Sequence, residues 1–343
     1  MASQGPRQDE IAPGWTIGTL FGLAVLSVAW APFWGMESIP FGALWDKTDD
    51  SVAAYILWNL RIPRVLMAFL AGAGLAASGM VFQAMFRNPL ATPFTLGVSS
   101  GASLGAAVAI QLGLNFAVWG LSSVAISAFV GAMTAIILVY ALTTTSRQGS
   151  STATMLLAGV AVSFFFSSLI LFLQYMSDFT RSYQMLRWVM GGMQNIVGFQ
   201  DVINVLAFVV AGCLIVWYLL MDLNLLTTGE DFAFTRGVNV GQAKTMLFFS
   251  VSMMVGAVVA VCGPIGFVGL MAPHICRLLI GSDHRRLFPA AMLFGGTMLV
   301  VCDTIARLLL APTELPVGIL TALIGGPFFL WLLLTRRRDM GTI

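Results

Sequence analysis

Long apolar runs, divided by short polar or Gly/Pro-rich breaks, fill this 343-residue chain from residue 15 to residue 335. Ten runs can be drawn, near 15–34, 62–86, 94–112, 118–142, 153–176, 202–221, 245–262, 266–281, 289–308 and 316–335. A helix of roughly 20 residues is about 30 Å long and crosses a bilayer's hydrocarbon core. Lipid offers no partner to a backbone amide, so spanning segments must close their own hydrogen bonds. The runs therefore predict an all-α polytopic membrane protein of about ten transmembrane helices, one membrane domain over 1–343. Charged residues make up only 9% and mean hydropathy is +0.91, whereas a soluble domain carries about 25% charge. That excludes a soluble enzyme, a nucleic-acid binder and a disordered chain. The third and eighth runs are short and glycine-rich, which suits helices buried among other helices.

Placement of basic residues sets direction. With the N-terminus inside, the cytoplasmic side collects Arg7, Arg87, Arg147, Arg236, Lys244, Arg277, Arg285, Arg286 and Arg336 to Arg338. The outer side collects Lys47, Arg61, Arg64, Arg181, Arg187 and Arg307. The bias predicts both termini in the cytoplasm. The N-terminal MASQGPRQDEIAPG has a single arginine beside two acids, and no small-residue cleavage site follows the first run. That run is read as a retained span rather than a signal peptide.

The predicted cytoplasmic segment 222–244 reads as two short helices around a glycine break. Thr228 is an expected N-cap, with Gly229 and Glu230 in the first turn and Asp231 in capping-box position. Arg236 falls in the last turn and Gly237 at the C′ position that ends the helix. Asn239 is expected to cap a second short helix leading into the next span. Such an exposed pair is either a docking element or an amphipathic connector at the interface.

The interior of the spans is nearly uncharged. Asp303 and Arg307, four residues apart, can pair on one helix face near its outer end. Arg61 and Arg64, in LRIPR, share the outer face with Arg307, against the positive-inside trend. Three outer arginines suit capture of an anionic ligand, a bridge to a partner's carboxylates, or pairing with the loop acids Asp46, Asp49 and Asp50. His274 reads as a packing residue and His284 as a loop residue. The four cysteines sit in apolar runs without metal-ligand spacing. No nucleophile, metal-ligand or P-loop constellation is visible, so no cofactor or metal is expected in this chain.

Four blocks together resemble one family. RIPRVLMAFLAGAGLAASGMVFQAMFRNPLATPFTLGVSSGASLG (61–105) and GPIGFVGLMAPHICRLLIGSDHRRLFP (263–289) are similar to segments of the FecCD-type permeases. These belong to type II ABC importers for iron chelates, heme and cobalamin. DTIARLLLAPTELPVGILTALIGGPFFLWLL (303–333) resembles that family's closing segment. RWVMGGMQN (187–195) resembles its Trp-Leu-Met-Gly-Ser-Leu element, with Gly192 where serine is usual.

The resemblance implies a ten-span subunit that works with a second permease subunit, two cytoplasmic ABC ATPases carrying ATP and magnesium, and a periplasmic binding protein. It implies that 222–244 couples to the ATPase through Thr228, Gly229, Glu230, Asp231, Arg236, Gly237 and Asn239. It also implies that Arg61, Arg64 and Arg307 dock the binding protein, and that roughly 160–195 lines the path. The expected function is inward transport of a metal chelate across the bacterial inner membrane, a ferric siderophore first, heme or cobalamin next. An ion-coupled secondary transporter is the alternative, disfavoured by the lack of midplane charges.

Overall fold

Each of the ten apolar runs forms a helix in the computed structural model, which describes residues 13–35, 37–45, 51–144 and 152–340. Arg7, Lys47, Arg147 and the loop acids Asp46, Asp49 and Asp50 lie outside the described residues. In chain order the helices begin with α1 (Pro13–Trp30), α2 (Val52–Tyr55), α3 (Ile62–Met85), α4 (Val98–Leu112) and α5 (Ser123–Thr144). There follow α6 (Thr152–Met176), α7 (Phe179–Val189), α8 (Gln200–Tyr218), α9 (Leu220–Thr228) and α10 (Glu230–Thr235). The last four are α11 (Val240–Cys262), α12 (Val268–Ile280), α13 (His284–Leu309) and α14 (Val317–Met340). Among the described residues, seven helical segments are long and apolar enough to cross a membrane, and α4, α12 and the apolar part of α14 are shorter.

Burial separates the centre from the rim. The apolar window of the segment Val52–Met85 is 83% buried and that of α11 72%, while those of α1 and α6 are 22%. Composition explains why α3 lies at the centre: its middle, AGAGLAASG, is almost wholly small residues. Small residues let backbones approach closely where lipid supplies no hydrophobic drive to pack helices. A Cβ on Gly79 would overlap the Gly269 carbonyl of α12, and one on Gly72 would overlap the Gly295 carbonyl of α13. Only glycine fits at these two crossings, so α3, α12 and α13 meet backbone to backbone.

Two stretches depart from the sequence reading. The fourth span begins at Ser123, not 118, because Ala117–Val118 and Leu121–Ser122 form a small antiparallel hairpin, β1 and β2. Trp119 and Gly120 both have positive φ, 53° and 79°, the geometry of a primed two-residue turn. Hydropathy missed it because the hairpin is itself apolar.

The second departure lies in the break between the first two apolar runs. Here Phe41–Leu44 is a 3₁₀ turn, and α2 runs through a π-helical stretch, Ile56–Arg61, into α3. Ser51 caps this lead-in by accepting from the Ala54 amide at 3.4 Å, and Leu57 anchors it with no exposed surface.

Candidate functional site

The two ends of the bundle carry its polar chemistry. At one end, α8 breaks at Leu219 and continues as α9, which buries Leu220, Leu223 and Leu226 against the bundle. Arg87 holds the last turn of α9, its Nε and Nη2 donating to the Leu226 carbonyl at 3.1 and 2.8 Å. A cation there satisfies an orphan carbonyl and the negative end of the helix dipole. Asn224 donates to Asp283 Oδ1 at 2.9 Å and accepts from the His284 amide at 3.1 Å. Asp283 in turn caps α13 by accepting from the Arg285 amide at 3.1 Å. The Asn224 and Arg285 hydrogen bonds hold the Asp283 carboxyl below the usual aspartate range. Thus α9 is pinned to the end of α3 and the start of α13. His284, read as a loop residue, is instead the first residue of α13 and buried, because Asp283 starts the helix one residue earlier.

The short helix α10 rests on that base. Gly229 has φ +150° and ψ +140°, a region essentially restricted to glycine. The N-cap falls one residue later than the sequence predicts. Thr228 is the last residue of α9, donating its hydroxyl back to the Leu225 carbonyl at 2.7 Å, and Gly229 occupies the N-cap position of α10. An N-cap needs non-helical backbone, and at Thr228 the helix arriving from α8 has not yet ended. The Thr228–Asp231 capping box is therefore absent, while Glu230 and Asp231 fall in the first turn.

Gly237, at φ +87°, closes α10 as expected. The Gly237 amide bonds to Phe234 O at 3.0 Å and the Val238 amide to Ala233 O at 3.1 Å, the paired pattern of a Schellman cap. Asn239 Oδ1 accepts from the Gln242 amide at 3.1 Å, but it caps α11 itself rather than a separate second short helix. Glu230 pairs with Lys244 at 2.5 Å, and the Arg236 guanidinium lies 5.2 Å from the centre of the Phe232 ring. The result is one fixed turn that presents Phe232, Phe234 and Arg236 outward.

At the opposite end the arginines of LRIPR face inward. Arg64 Nε lies 3.0 Å from Asp303 Oδ2 and Nη2 lies 2.9 Å from Oδ1, while Nη1 donates to Glu314 Oε2 at 2.7 Å. The expected Asp303–Arg307 pair is present at 3.3 Å, on the same Oδ2 that Arg64 Nε approaches. Arg307 also donates to the carbonyls of Trp34 and Ala31, at 3.1 and 3.3 Å. Arg61 donates to the carbonyls of Pro32 and Glu37, at 3.1 and 2.7 Å. Arg61 and Arg307 thus clamp the segment after α1 onto α3 and α13, while Arg64 ties α3 to α13 and the link that follows it. All three are buried, so a partner's carboxylate reaches them only by displacing an internal acceptor. The exposed arginines of this end are Arg181 and Arg187 on α7.

Arg187 Nη2 donates to Gln194 Oε1 at 2.9 Å, and Gln194 Nε2 donates to the Glu314 carbonyl at 3.2 Å. The segment after α7 is stitched down by backbone: Gly192 N to Cys262 O at 2.8 Å and Gly318 N to Gly191 O at 3.2 Å. A cleft of about 690 Å³ opens here, lined by Gln184, Arg187, Trp188, Asn195 and Asp201 among others. On α6, Phe164, Phe172 and Tyr175 are exposed. His274 is a packing residue as expected, buried and edge-on to Phe328 at 6.2 Å. Sequence reasoning did not single out Asn224, Asp283 or Glu314. Only Asp283 leaves a local signal, as the N-cap of SDHRR.

A model of the FecCD transport family matches residues 23–335. The chain belongs to that family. It is 38% identical over 332 residues to the hemin transport system permease protein of Yersinia pestis, covering 96% of this chain and 98% of the relative. It is likewise 38% identical to the vitamin B12 import system permease protein of Klebsiella pneumoniae, covering 93% and 94%. A solved inward-facing metal-chelate type ABC transporter superposes with a TM-score of 0.83 at 32% identity, covering 94% of this chain and 99% of that one. The FecCD chain is accordingly the membrane permease of an ABC importer, and not itself an enzyme. Permeases of this kind work with ATPase and permease partners.

Proposed function

We propose that this permease moves a metal chelate inward across the bacterial inner membrane: a ferric siderophore, or a tetrapyrrole such as heme or cobalamin. The family match over nearly the whole chain carries this reading, supported by relatives named for hemin and vitamin B12. In this reading α10 and its flanking turns seat on a cytoplasmic ABC ATPase, which binds the ATP and magnesium. The exposed Phe232, Phe234 and Arg236 on a glycine-bounded turn suit insertion into a groove. The pins through Arg87 and Asn224 suit transfer of force to α3 and α13. A second permease subunit completes the path, with α6 and the following segment facing it, and both termini are cytoplasmic. A periplasmic binding protein docks on the end that holds Arg61, Arg64 and Arg307, where its carboxylates exchange with internal acceptors.

The test is reconstitution of the purified permease–ATPase complex in liposomes with binding protein and ⁵⁵Fe-siderophore, heme or cyanocobalamin. ATP-dependent accumulation of one of these is the expected result. Accumulation driven by an ion gradient without ATP would refute the reading.

A further inference from the structure

Arg64 spends its guanidinium in two unequal ways. One edge of the fork grips Asp303, whose side chain is 1% exposed; the remaining Nη1 holds Glu314, whose side chain is 34% exposed. Buried, bidentate charge pairs are costly to break, whereas an ion pair open to water is weak and exchangeable. Glu314 lies in the link between α13 and α14, and a second cleft of about 450 Å³ opens beside it, lined by Tyr183, Arg187, Gln194 and Thr313. There is room next to Glu314 for an incoming side chain.

We infer that Glu314 is a built-in competitor, occupying on Arg64 the position that a carboxylate of the docking protein takes. When the partner's carboxylate replaces it, the Asp303 pair stays intact and the cluster keeps its buried charge balance. The Glu314 carbonyl is also the acceptor for Gln194, which accepts in turn from Arg187. Release of the Glu314 side chain frees its peptide, and the loss passes through Gln194 to α7 at the mouth of the larger cleft. Arrival of the binding protein is thereby converted into loosening of the segment 187–194.

The inference rests on the proposal that a binding protein docks at this end. It is tested in the full permease–ATPase complex in nanodiscs, with the cognate binding protein free of substrate. Glu314→Gln keeps the side chain's length and removes the competing charge. It is expected to tighten binding about two- to fivefold, the scale of one partly exposed ion pair. It should also speed amide exchange over 187–194 before any partner is added. Glu314→Asp, too short to reach Arg64, gives the same readout if Glu314→Gln does not assemble. Arg61→Gln serves as the control for docking. If Arg61→Gln weakens binding while both Glu314 variants leave it unchanged or weaker, the competitor assignment is overturned and docking stands. If binding ignores all three variants and added salt, the docking proposal fails and the inference falls with it.

Discussion

Replacing Asp303 by Asn tests the outer ion cluster most directly. The side chain is 1% exposed and meets Arg64 at 2.9 Å and Arg307 at 3.3 Å. Asn keeps the shape and one acceptor but removes the charge shared by two buried guanidiniums. Breaking a buried pair by removing one partner costs about 3–5 kcal/mol. Two features pull the expected value to the lower end. Arg64 retains Glu314, and Arg307 retains the carbonyls of Trp34 and Ala31. A loss of about 3 kcal/mol is therefore expected, read from reversible unfolding in mixed micelles with increasing SDS. Removing the orphaned cation as well, in Asp303→Asn with Arg307→Gln, should cost less than the sum of the two single changes, because the sites are in direct contact. A loss below about 0.5 kcal/mol for Asp303→Asn, the level of an ordinary surface change, would refute the view that this carboxylate neutralises the cluster. Strict additivity would do the same.

The glycines separate steric from conformational roles. Gly79→Ala forces α3 off the Gly269 carbonyl, and overpacking of this kind costs about 1–3 kcal/mol or more, so monodisperse yield should fall sharply on gel filtration. Gly229→Ala meets only Phe232, at an ordinary contact distance of 3.6 Å, and costs mainly backbone strain, about 1–3 kcal/mol; exchange should rise in α10 alone, with ATPase co-purification reduced and the bundle unchanged. Arg87→Ala should loosen α9 as judged by its amide exchange and lower ATPase-coupled uptake, without altering the outer cluster.

The Asp283 carboxyl titrates below its unfolded value. Its contribution is therefore present above the ordinary aspartate range and lost as pH falls through the lower folded value. Exchange in α9 should rise on acidification through that window, and Asp283→Asn should abolish the pH dependence.

How much of this was legible beforehand varies with the range of the interaction. The spans were readable because hydropathy is a property of each run by itself, and glycine content marked α4 and α12 as short buried helices. Gly237 and Asn239 were readable because caps are local grammar. Thr228 carries a misleading signal for a related reason: a cap is read locally, but the helix that occupies Thr228 arrives from before residue 222. Asp303 and Arg307 were paired correctly at four residues, yet the shorter contacts of Asp303 go to Arg64, 239 residues away. Nothing in LRIPR announces that partner. Glu314 and Asn224 were invisible for the same cause, since each is polar in a link or helix end where polarity needs no explanation. The burial of the outer arginines is also a tertiary fact, set by where the segment after α1 folds back.

The crossings of α3 with α12 and α13 bear on how such a machine can move. Backbone touches backbone at Gly79–Gly269 and Gly72–Gly295, which act as two keys at different heights along one shaft. Sliding α13 by one turn, about 5.4 Å, would bring Ala291 or Leu299 to the place that only Gly295 fits. The crossings thus oppose independent sliding of these three helices, and in the proposed coupling the Arg87 and Asn224 pins bear on the block rather than on one helix. Strokes that open or close a passage must fall to helices without such keys to this shaft, of which α6, thinly covered on the rim, is the longest.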